Sequence, residues 1–450
     1  MKKFDVIVVG AGTAGCMAAK TAADKDLEVC LIDRKAREDV GEKVCGDAIG
    51  QHHFNALNLE YPKGEELKRK IEGIKVFSPD LKAVFCVKAK TFHGFIIDRH
   101  LFGQRLLNSA IDAGATFLKS TQTLRPIVEN GYVTGVMAKD QKAGKEFPLS
   151  GRAIVDASGF PAILRKCIPP EFGIETNVDD EDVVICYREI RELREQMSEP
   201  EFCEIYLNQA SFPGAYAWVF PEDGNKVNVG LGVAMTGKFP NPKKQLYDKV
   251  LSMPLFAKSS MVKGGGGHVP TRRPLDCMTG NGIIIVGDAA CQVNPIHGGG
   301  MGPSMMGGVL AGETIVEAIE KGDVSRERLW LYNTKYMQSY GAKQAGLDVF
   351  RLLLQKLGDD DLNWGMKYEL ITEEDVFKTS MGEDVRLNIT EKTQRIFRGI
   401  RKLSLLKKLR DAADLLRDVK AHYRNYPESP KDFDAWKKKS HKLIAQARKR

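Results

Sequence analysis

Phe4-Asp-Val-Ile-Val-Val9 runs into Gly10-Ala-Gly12-Thr-Ala-Gly15, and a second apolar run, Val29-Cys-Leu-Ile32, ends in Asp33. The order predicts a buried strand, a glycine turn, a helix and a second strand. Glycines are needed where the backbone turns tightly, where it approaches a pyrophosphate and where the helix packs on the strand. The helix N-terminus then offers bare N–H groups and a positive dipole end to phosphates. Asp33 stands 18 residues beyond Gly15, at the end of the second strand, where a carboxylate can accept hydrogen bonds from ribose hydroxyls. Glycines alone would be a weak signal. Strand, glycines, helix and acid in register predict a dinucleotide-binding βαβ unit.

Two later segments extend the site and point to a flavin. Gly282-Ile-Ile-Ile-Val-Gly287-Asp288 reads as a buried strand whose last residue can reach a ribityl or ribose hydroxyl. Pro295-Ile-His297-Gly298-Gly299-Gly300-Met301-Gly302 then opens a helix running to about Lys321, with N–H groups suited to a pyrimidine carbonyl or a pyrophosphate. Asp156-Ala-Ser158-Gly159 closes another strand and is expected to support the same ligand. No second GxGxxG follows a strand, and glycines 264–267 are expected in a loop before His268-Val-Pro. With no resident nicotinamide domain, electrons are expected from a docking reductant.

At 450 residues the chain implies two or three domains. No stretch approaches the roughly 18 apolar residues that cross a bilayer, and Met1-Lys-Lys leads straight into the first strand, so no signal peptide is expected. Nine scattered cysteines, without CxxC or metal-ligand spacing, read as cytosolic thiols and argue against a metal site. The net charge of +8 is uneven: Glu391–Arg450 holds 19 Lys/Arg against 7 Asp/Glu, leaving the first 390 residues at −4. The basic tail lacks the interleaved aromatics of a nucleic-acid surface, and no nucleic-acid partner is expected.

The expected fold class is α/β. A Rossmann-type FAD-binding domain is assembled from discontinuous segments, 1–75, 95–175 and 265–340. An antiparallel-sheet substrate domain, 76–94 and 176–264, is inserted, with residues 183–233 as a strand meander. Residues 341–450 form a helical, basic amphipathic C-terminal region.

Three local features bear on the chemistry. Gly41-Glu-Lys43-Val-Cys45-Gly46-Asp47 follows the second strand, where the chain should turn back over a flavin ring; Cys45 there is either a proton donor or a small packing residue. In Pro213-Gly-Ala-Tyr216-Ala-Trp218-Val-Phe220-Pro221, alternate residues share one strand face. Tyr216, Trp218 and Phe220 are therefore an aromatic core face or the wall of an apolar cavity. In the tail, Ile396, Ile400, Leu403, Leu406, Leu409, Ala413, Leu416 and Val419 step by threes and fours, flanked by Arg395, Arg398, Lys402, Lys408, Arg410, Arg417 and Lys420. Such a helix suits an anionic membrane surface or packs on the domain with a solvated back.

GAGTAG at 10–15, DASG at 156–159 and VGDAA at 286–290 resemble the FAD-dependent group of the p-hydroxybenzoate hydroxylase type. Lys43-Val-Cys45-Gly46-Asp47-Ala, Tyr61-Pro-Lys-Gly-Glu-Glu, the P-x-x-Y-x-W-x-F-P pattern at 213–221, Lys226-Val-Asn-Val-Gly-Leu-Gly232, Val269-Pro-Thr-Arg-Arg-Pro274 and Asn294-Pro-Ile-His297-Gly-Gly-Gly300 narrow this. Together they resemble the archaeal geranylgeranyl reductases, which saturate isoprenoid chains of membrane glycerolipids. The resemblance implies FAD in an extended pose, with the cysteine segment at the flavin and the Tyr-Trp-Phe strand lining a lipid cavity. The cofactor contacts it implies are Gly10, Gly12, Ala14, Gly15, Asp33, Arg34, Cys45, Gly46, Arg99, Asp156, Gly159, Asp288, Gly299, Gly300, Met301 and Gly302.

Reduction of an isolated trisubstituted alkene requires a hydride and a proton in a site without water, because cationic character develops at the tertiary carbon. Cys45 is the expected donor, or the relay for a water held by Asp47 or His297, so these three are the candidate catalytic residues. Tyr216, Trp218, Phe220 and His297 are the candidate substrate contacts. The expected partners are an isoprenoid glycerolipid, a transient donor (ferredoxin, NAD(P)H or a deazaflavin) and the membrane. Cytoplasmic, peripheral localisation on the inner face follows. Arg272 and Arg273 are weaker candidates for a phosphate headgroup. The alternatives are an FAD-dependent monooxygenase or halogenase of an apolar substrate, or a redox-neutral isoprenoid cyclase or lipid carrier.

Overall fold

Residues Val6 to Val9 of the strand Lys3–Val9 are all buried, as suits the centre of a parallel sheet covered on both faces. The computed structural model describes residues 3–88, 93–370, 372–374 and 402–449. In it this strand pairs in parallel with Val29–Ile32 on one side and Glu146–Asp156 on the other. Thr116–Leu118 and Ile283–Ile285 extend the parallel sheet. The ribbon Thr121–Glu129 and Tyr132–Asp140 attaches antiparallel to the first half of Glu146–Asp156. Strand ends from four distant segments, at residues 9, 32, 156 and 285, therefore stand side by side.

The alanine-rich helix Thr13–Ala23 covers this sheet and packs on Met301–Glu320. Contact is backbone-close: a side chain at Gly308 would collide with the Ala14 carbonyl oxygen. Asp98 caps Arg99–Asp112 by accepting from His100 N and Leu101 N, both at 3.0 Å.

A second sheet of seven strands runs in the order Ser260–Val269, Val184–Glu192, Lys226–Ala234, Ala217–Pro221, Phe202–Tyr206, Gly73–Phe77 and Val84–Val87. It is mixed rather than purely antiparallel, because Phe202–Tyr206 and Gly73–Phe77 pair in parallel. Two strands, Gly73–Phe77 and Ser260–Val269, run across the boundaries expected at 75/76 and 264/265. Glycines 264–267, expected in a loop, lie inside that last strand, paired with Val184–Glu192. At Gly265 the glycine has a steric use: a Cβ there would sit 2.7 Å from Val44 Cγ2, so bare backbone lets this strand approach the cysteine turn. A third, small sheet is formed by Ala48–Gly50, Gly94–Ile97 and Leu67–Ile71.

The helix Leu403–Arg424 packs along Ala342–Leu354. It buries Leu405, Ala412, Leu415 and Val419 and half-buries Leu406, Leu409 and Leu416. The expected stripe is thus rotated, with Leu403 60% exposed and Ala413 also outward. Neighbouring leucine rows offer nearly equal faces at 3.6 residues per turn, and contact with Ala342–Leu354 decides between them. Arg395, Ile396, Arg398 and Ile400 lie outside the described residues.

Arg272 and Arg273 are not headgroup ligands, being 3% and 6% exposed. Arg272 pairs with Glu175 and Asp182, and Arg273 with Asp276 and Asp348. Arg351 closes the network onto Asp182 and Asp348. Tyr423 donates to Asp276 Oδ1 at 2.8 Å, and His441 Nε2 lies 3.0 Å from Asp276 Oδ2. Buried carboxylates already neutralise both arginines. All nine cysteines are free thiols.

Candidate active site

One cavity of about 1310 Å³ lies between the parallel sheet, the seven-stranded sheet and the C-terminal helices. Its cofactor end is built by the first glycine turn. Gly10 has φ +105, a left-handed conformation that favours glycine, and a Cβ there would collide with the Ala157 carbonyl oxygen. Gly15 faces the Gly10 carbonyl and is absent from the cavity wall; its role is helix–strand contact, not cofactor contact. Gly12 is different: nothing lies within 4 Å of its Cβ position, and it lines the cavity. Asp33 braces the turn, accepting from Ala11 N at 2.8 Å and Lys35 N at 2.9 Å, and remains in the wall with Ala14 and Arg34.

Arg99 is buried, and its Nε and Nη1 have no hydrogen-bond partner. A guanidinium with two unpaired nitrogens, in the same wall as the open Gly12, suits a pyrophosphate. Gly159, Asp288, Gly299, Gly300, Met301 and Gly302 line the same cavity. These residues fit FAD. Asp156 does not line it: it is fully buried, accepts from Ser158 N and Oγ, and gives its other oxygen to Arg165 N at 2.8 Å. It shapes the Ala157–Gly159 turn instead of touching the ligand.

The cysteine turn crosses the middle of the cavity. Lys43 Nζ reaches Asp288 Oδ2 at 2.8 Å and so ties the turn to the second flavin strand. Cys45 and Gly46 line the wall, and burial pushes the Cys45 thiol above its ordinary pKa, with the Asp47 carboxylate adding to the rise. Asp47 is 4% exposed, sits at φ +59, and leaves Oδ1 without a partner. Burial pushes its pKa up to about 7, against Arg188, whose Nη2 lies 3.7 Å from Oδ2, and with help from Glu222.

Asn228, which the sequence reading passed over, organises this turn. Its Nδ2 donates to Asp47 Oδ2 at 2.8 Å and to the Cys45 carbonyl at 2.9 Å, while its Oδ1 accepts from Trp218 Nε1 at 3.0 Å. The available signal was one amide in the otherwise apolar strand Lys226–Ala234, where it is fully buried. Arg188 was missed for the same reason, as a charge inside Val184–Glu192.

Tyr216, Trp218 and Phe220 all line the cavity, with successive ring centroids 6.3 Å apart. Space for Trp218 comes from the next strand, where a Cβ on Gly230 would lie 2.5 Å from Trp218 Cζ2. Tyr216 donates to the His297 carbonyl at 2.7 Å. His297 opens to the cavity and accepts from Gly299 N on Nδ1; the surrounding protein lowers its pKa to about 4, mainly by desolvation. Beyond the aromatic wall the lining is aliphatic, including Ile74, Val76, Leu354, Leu357 and Leu405.

A family model described as geranylgeranyl reductase catalytic domain matches residues 182–269, and one described as FAD dependent oxidoreductase matches residues 5–178. The chain is 39% identical over 449 residues to the digeranylgeranylglycerophospholipid reductase of Sulfolobus acidocaldarius, covering 99% of this chain and 98% of that protein. The protein of the same name from Methanothrix thermoacetophila is 32% identical over 393 residues, 86% of this chain and 96% of that one. Among solved structures, a geranylgeranyl bacteriochlorophyll reductase-like protein from Thermoplasma acidophilum has a TM-score of 0.76 at 23% identity, covering 92% and 100% of the two chains. A flavin-dependent brominase reaches 0.63 at 17% identity, covering 90% and 99%, which shows shared fold alone. By kinship over nearly its whole length, the chain belongs to the digeranylgeranylglycerophospholipid reductase family of FAD-dependent oxidoreductases.

Proposed function

We propose that the protein reduces isolated carbon–carbon double bonds of geranylgeranyl chains in membrane glycerolipids. The observation that carries this reading is the continuity of one cavity from the glycine turn, past Cys45 and Trp218, into an aliphatic region bounded by the C-terminal helices. FAD, held by the glycine turn and Arg99, would when reduced supply the hydride equivalent. The chain supplies what that chemistry lacks: a proton, a face for positive charge, and exclusion of water. Cys45 keeps its proton at neutral pH because burial raises its pKa. Asp47, poised near 7 with a free Oδ1, stands behind it as the group that restores that proton. The Trp218 ring offers an aromatic face to cationic character at the tertiary carbon. His297 holds no second proton at neutral pH, so in this reading it is wall and carbonyl acceptor rather than acid.

Among the described residues no helix is long and apolar enough to cross a membrane. Most of the apolar stripe of Leu403–Arg424 is turned inward, onto Ala342–Leu354 and the cavity, so contact with the membrane's inner face rests on charge, through outward Lys407, Lys408, Arg410 and Arg417. A soluble donor, whether ferredoxin, nicotinamide or deazaflavin, docks transiently to reload the flavin.

The test is the mass of a geranylgeranylated glycerolipid after anaerobic incubation with chemically reduced holoprotein. Products heavier by two hydrogens per double bond are expected. Unchanged lipid beside persistently reduced flavin would reject the substrate.

A further inference from the structure

His52, His53, His297 and Lys343 stand together in the cavity wall. The rings of His52 and His53 are 3.9 Å apart, and His53 Nδ1 lies 3.0 Å from the Tyr340 hydroxyl. Gly302 makes the room, since a Cβ there would collide with the His53 ring. Of the six other cations of the wall, Lys43 is paired with Asp288, Arg188 with Asp47, and Arg351 with Asp182 and Asp348, while Arg34, Lys35 and Arg99 stand with the cofactor turn. Lys343 has no ion-pair partner among the described residues. The side-chain charges acting on the three histidines are those of one another and of Lys343, with no carboxylate among them.

The helix Ala342–Leu354 carries the contrast along one face. Lys343 stands in its first turn; Leu347, Phe350 and Leu354 follow at steps of three and four and line the aliphatic region. A ligand lying along this face meets basic groups at one end and hydrocarbon over the rest. Tyr216, donating to the His297 carbonyl, joins the basic cluster to the aromatic wall.

We propose that His52, His53 and Lys343 form an anion subsite for the phosphate of an isoprenoid phosphate ester, holding the head of the substrate while its chain lies along Ala342–Leu354. The inference rests on the lipid reading above and deepens it. Lysine supplies a mobile point charge, and the imidazoles supply N–H donors that strengthen against a dianion. Two sources carry the same chemistry, the phosphate of a diprenylglycerol and the phosphate of a free prenyl ester.

The experiment needs no turnover. Oxidised holoprotein is titrated calorimetrically with geranylgeranyl monophosphate and with uncharged geranylgeraniol. Lys343→Ala is expected to weaken the monophosphate about tenfold and leave the alcohol unchanged, with His52→Gln acting in the same direction and Lys343→Arg retaining affinity. Equal loss for both ligands, or loss for neither, overturns the subsite. So does a changed flavin midpoint potential in Lys343→Ala with phosphate affinity intact, because the cluster would then serve the cofactor. Repeating the titration with digeranylgeranylglyceryl phosphate and geranylgeranyl diphosphate identifies the source: the tighter ligand that Lys343→Ala weakens. Tight phosphate binding without lipid reduction would sink the catalytic reading and leave the subsite standing.

Discussion

Asn228 and Asp47, 181 residues apart in sequence, meet through an Nδ2–H···Oδ2 hydrogen bond of 2.8 Å inside the cavity wall. The same amide holds the Cys45 carbonyl and the Trp218 indole, so one side chain fixes the proton source and the aromatic face relative to each other. Asn228→Ala leaves several buried polar groups unpaired, and a loss of about 2–3 kcal/mol is expected in denaturant unfolding of the holoprotein. It also removes a bond to ionised Asp47, so the pH above which turnover falls should move upward.

The Asp47 carboxyl itself predicts a pH dependence. Its folded pKa of about 7 lies above the ordinary value near 3.9, because burial and Glu222 outweigh Arg188 and Arg99. The folded state therefore binds this proton more tightly than the unfolded chain, and stability from this group falls as pH rises from about 4 to about 7. Asp47→Asn should flatten that slope, by at most about 3 kcal/mol between unfolding curves at pH 5 and pH 8. Turnover of the natural chain should decline above pH 7 as the acid is lost. Cys45→Ala with full FAD content and an unchanged rate would remove the thiol from the mechanism.

Cofactor binding separates from folding at two positions. Gly12→Ala meets no protein atom and should leave apoprotein stability unchanged while lowering the flavin-to-protein ratio after reconstitution. Arg99→Leu removes a buried unpaired guanidinium, so the apoprotein should melt at an equal or higher temperature, yet bind FAD at least tenfold more weakly.

Gly230→Ala tests the aromatic wall without substituting any of its rings. The new methyl meets Trp218, the Arg188 Cβ at 2.6 Å and the Tyr187 carbonyl at 2.7 Å, so Trp218 must shift. Lipid turnover should fall strongly with flavin content retained, as for Trp218→Ala. Loss of FAD from either variant would make the wall part of the cofactor's support.

The parts legible in the sequence are those whose demands are local. Gly10, Gly12 and Asp33 declare themselves because a turn, a phosphate approach and a strand end sit within one short segment. The Tyr216–Trp218–Phe220 face follows from period two. What could not be read depends on distant partners. Arg272 and Arg273 look like surface charge until Glu175, Asp182, Asp276 and Asp348 close around them. Gly264 to Gly267 give no strand pattern, and the neighbour that Gly265 makes room for, Val44, stands some 220 residues earlier. The His52–His53–Lys343 cluster carries no local mark, and Asn228 only that of a lone amide in an apolar run, because their meaning lies in which walls the topology brings together.

The buried charges around Asp276 also set an order of events during synthesis. Tyr423, His441 and Arg448, which close this network onto Asp276 and Asp182, all lie beyond residue 420. A nascent chain can complete its nucleotide fold, and even its aromatic wall, long before it emerges that far. Until then the arginines of residues 272–273 lack part of their cage, and Ala342–Leu354 lacks its cover. The cage around these arginines is thus closed by side chains 150 residues and more further along the chain, and removing Tyr423, His441 and Arg448 would leave Arg273, Asp276 and Asp182 without part of their partners.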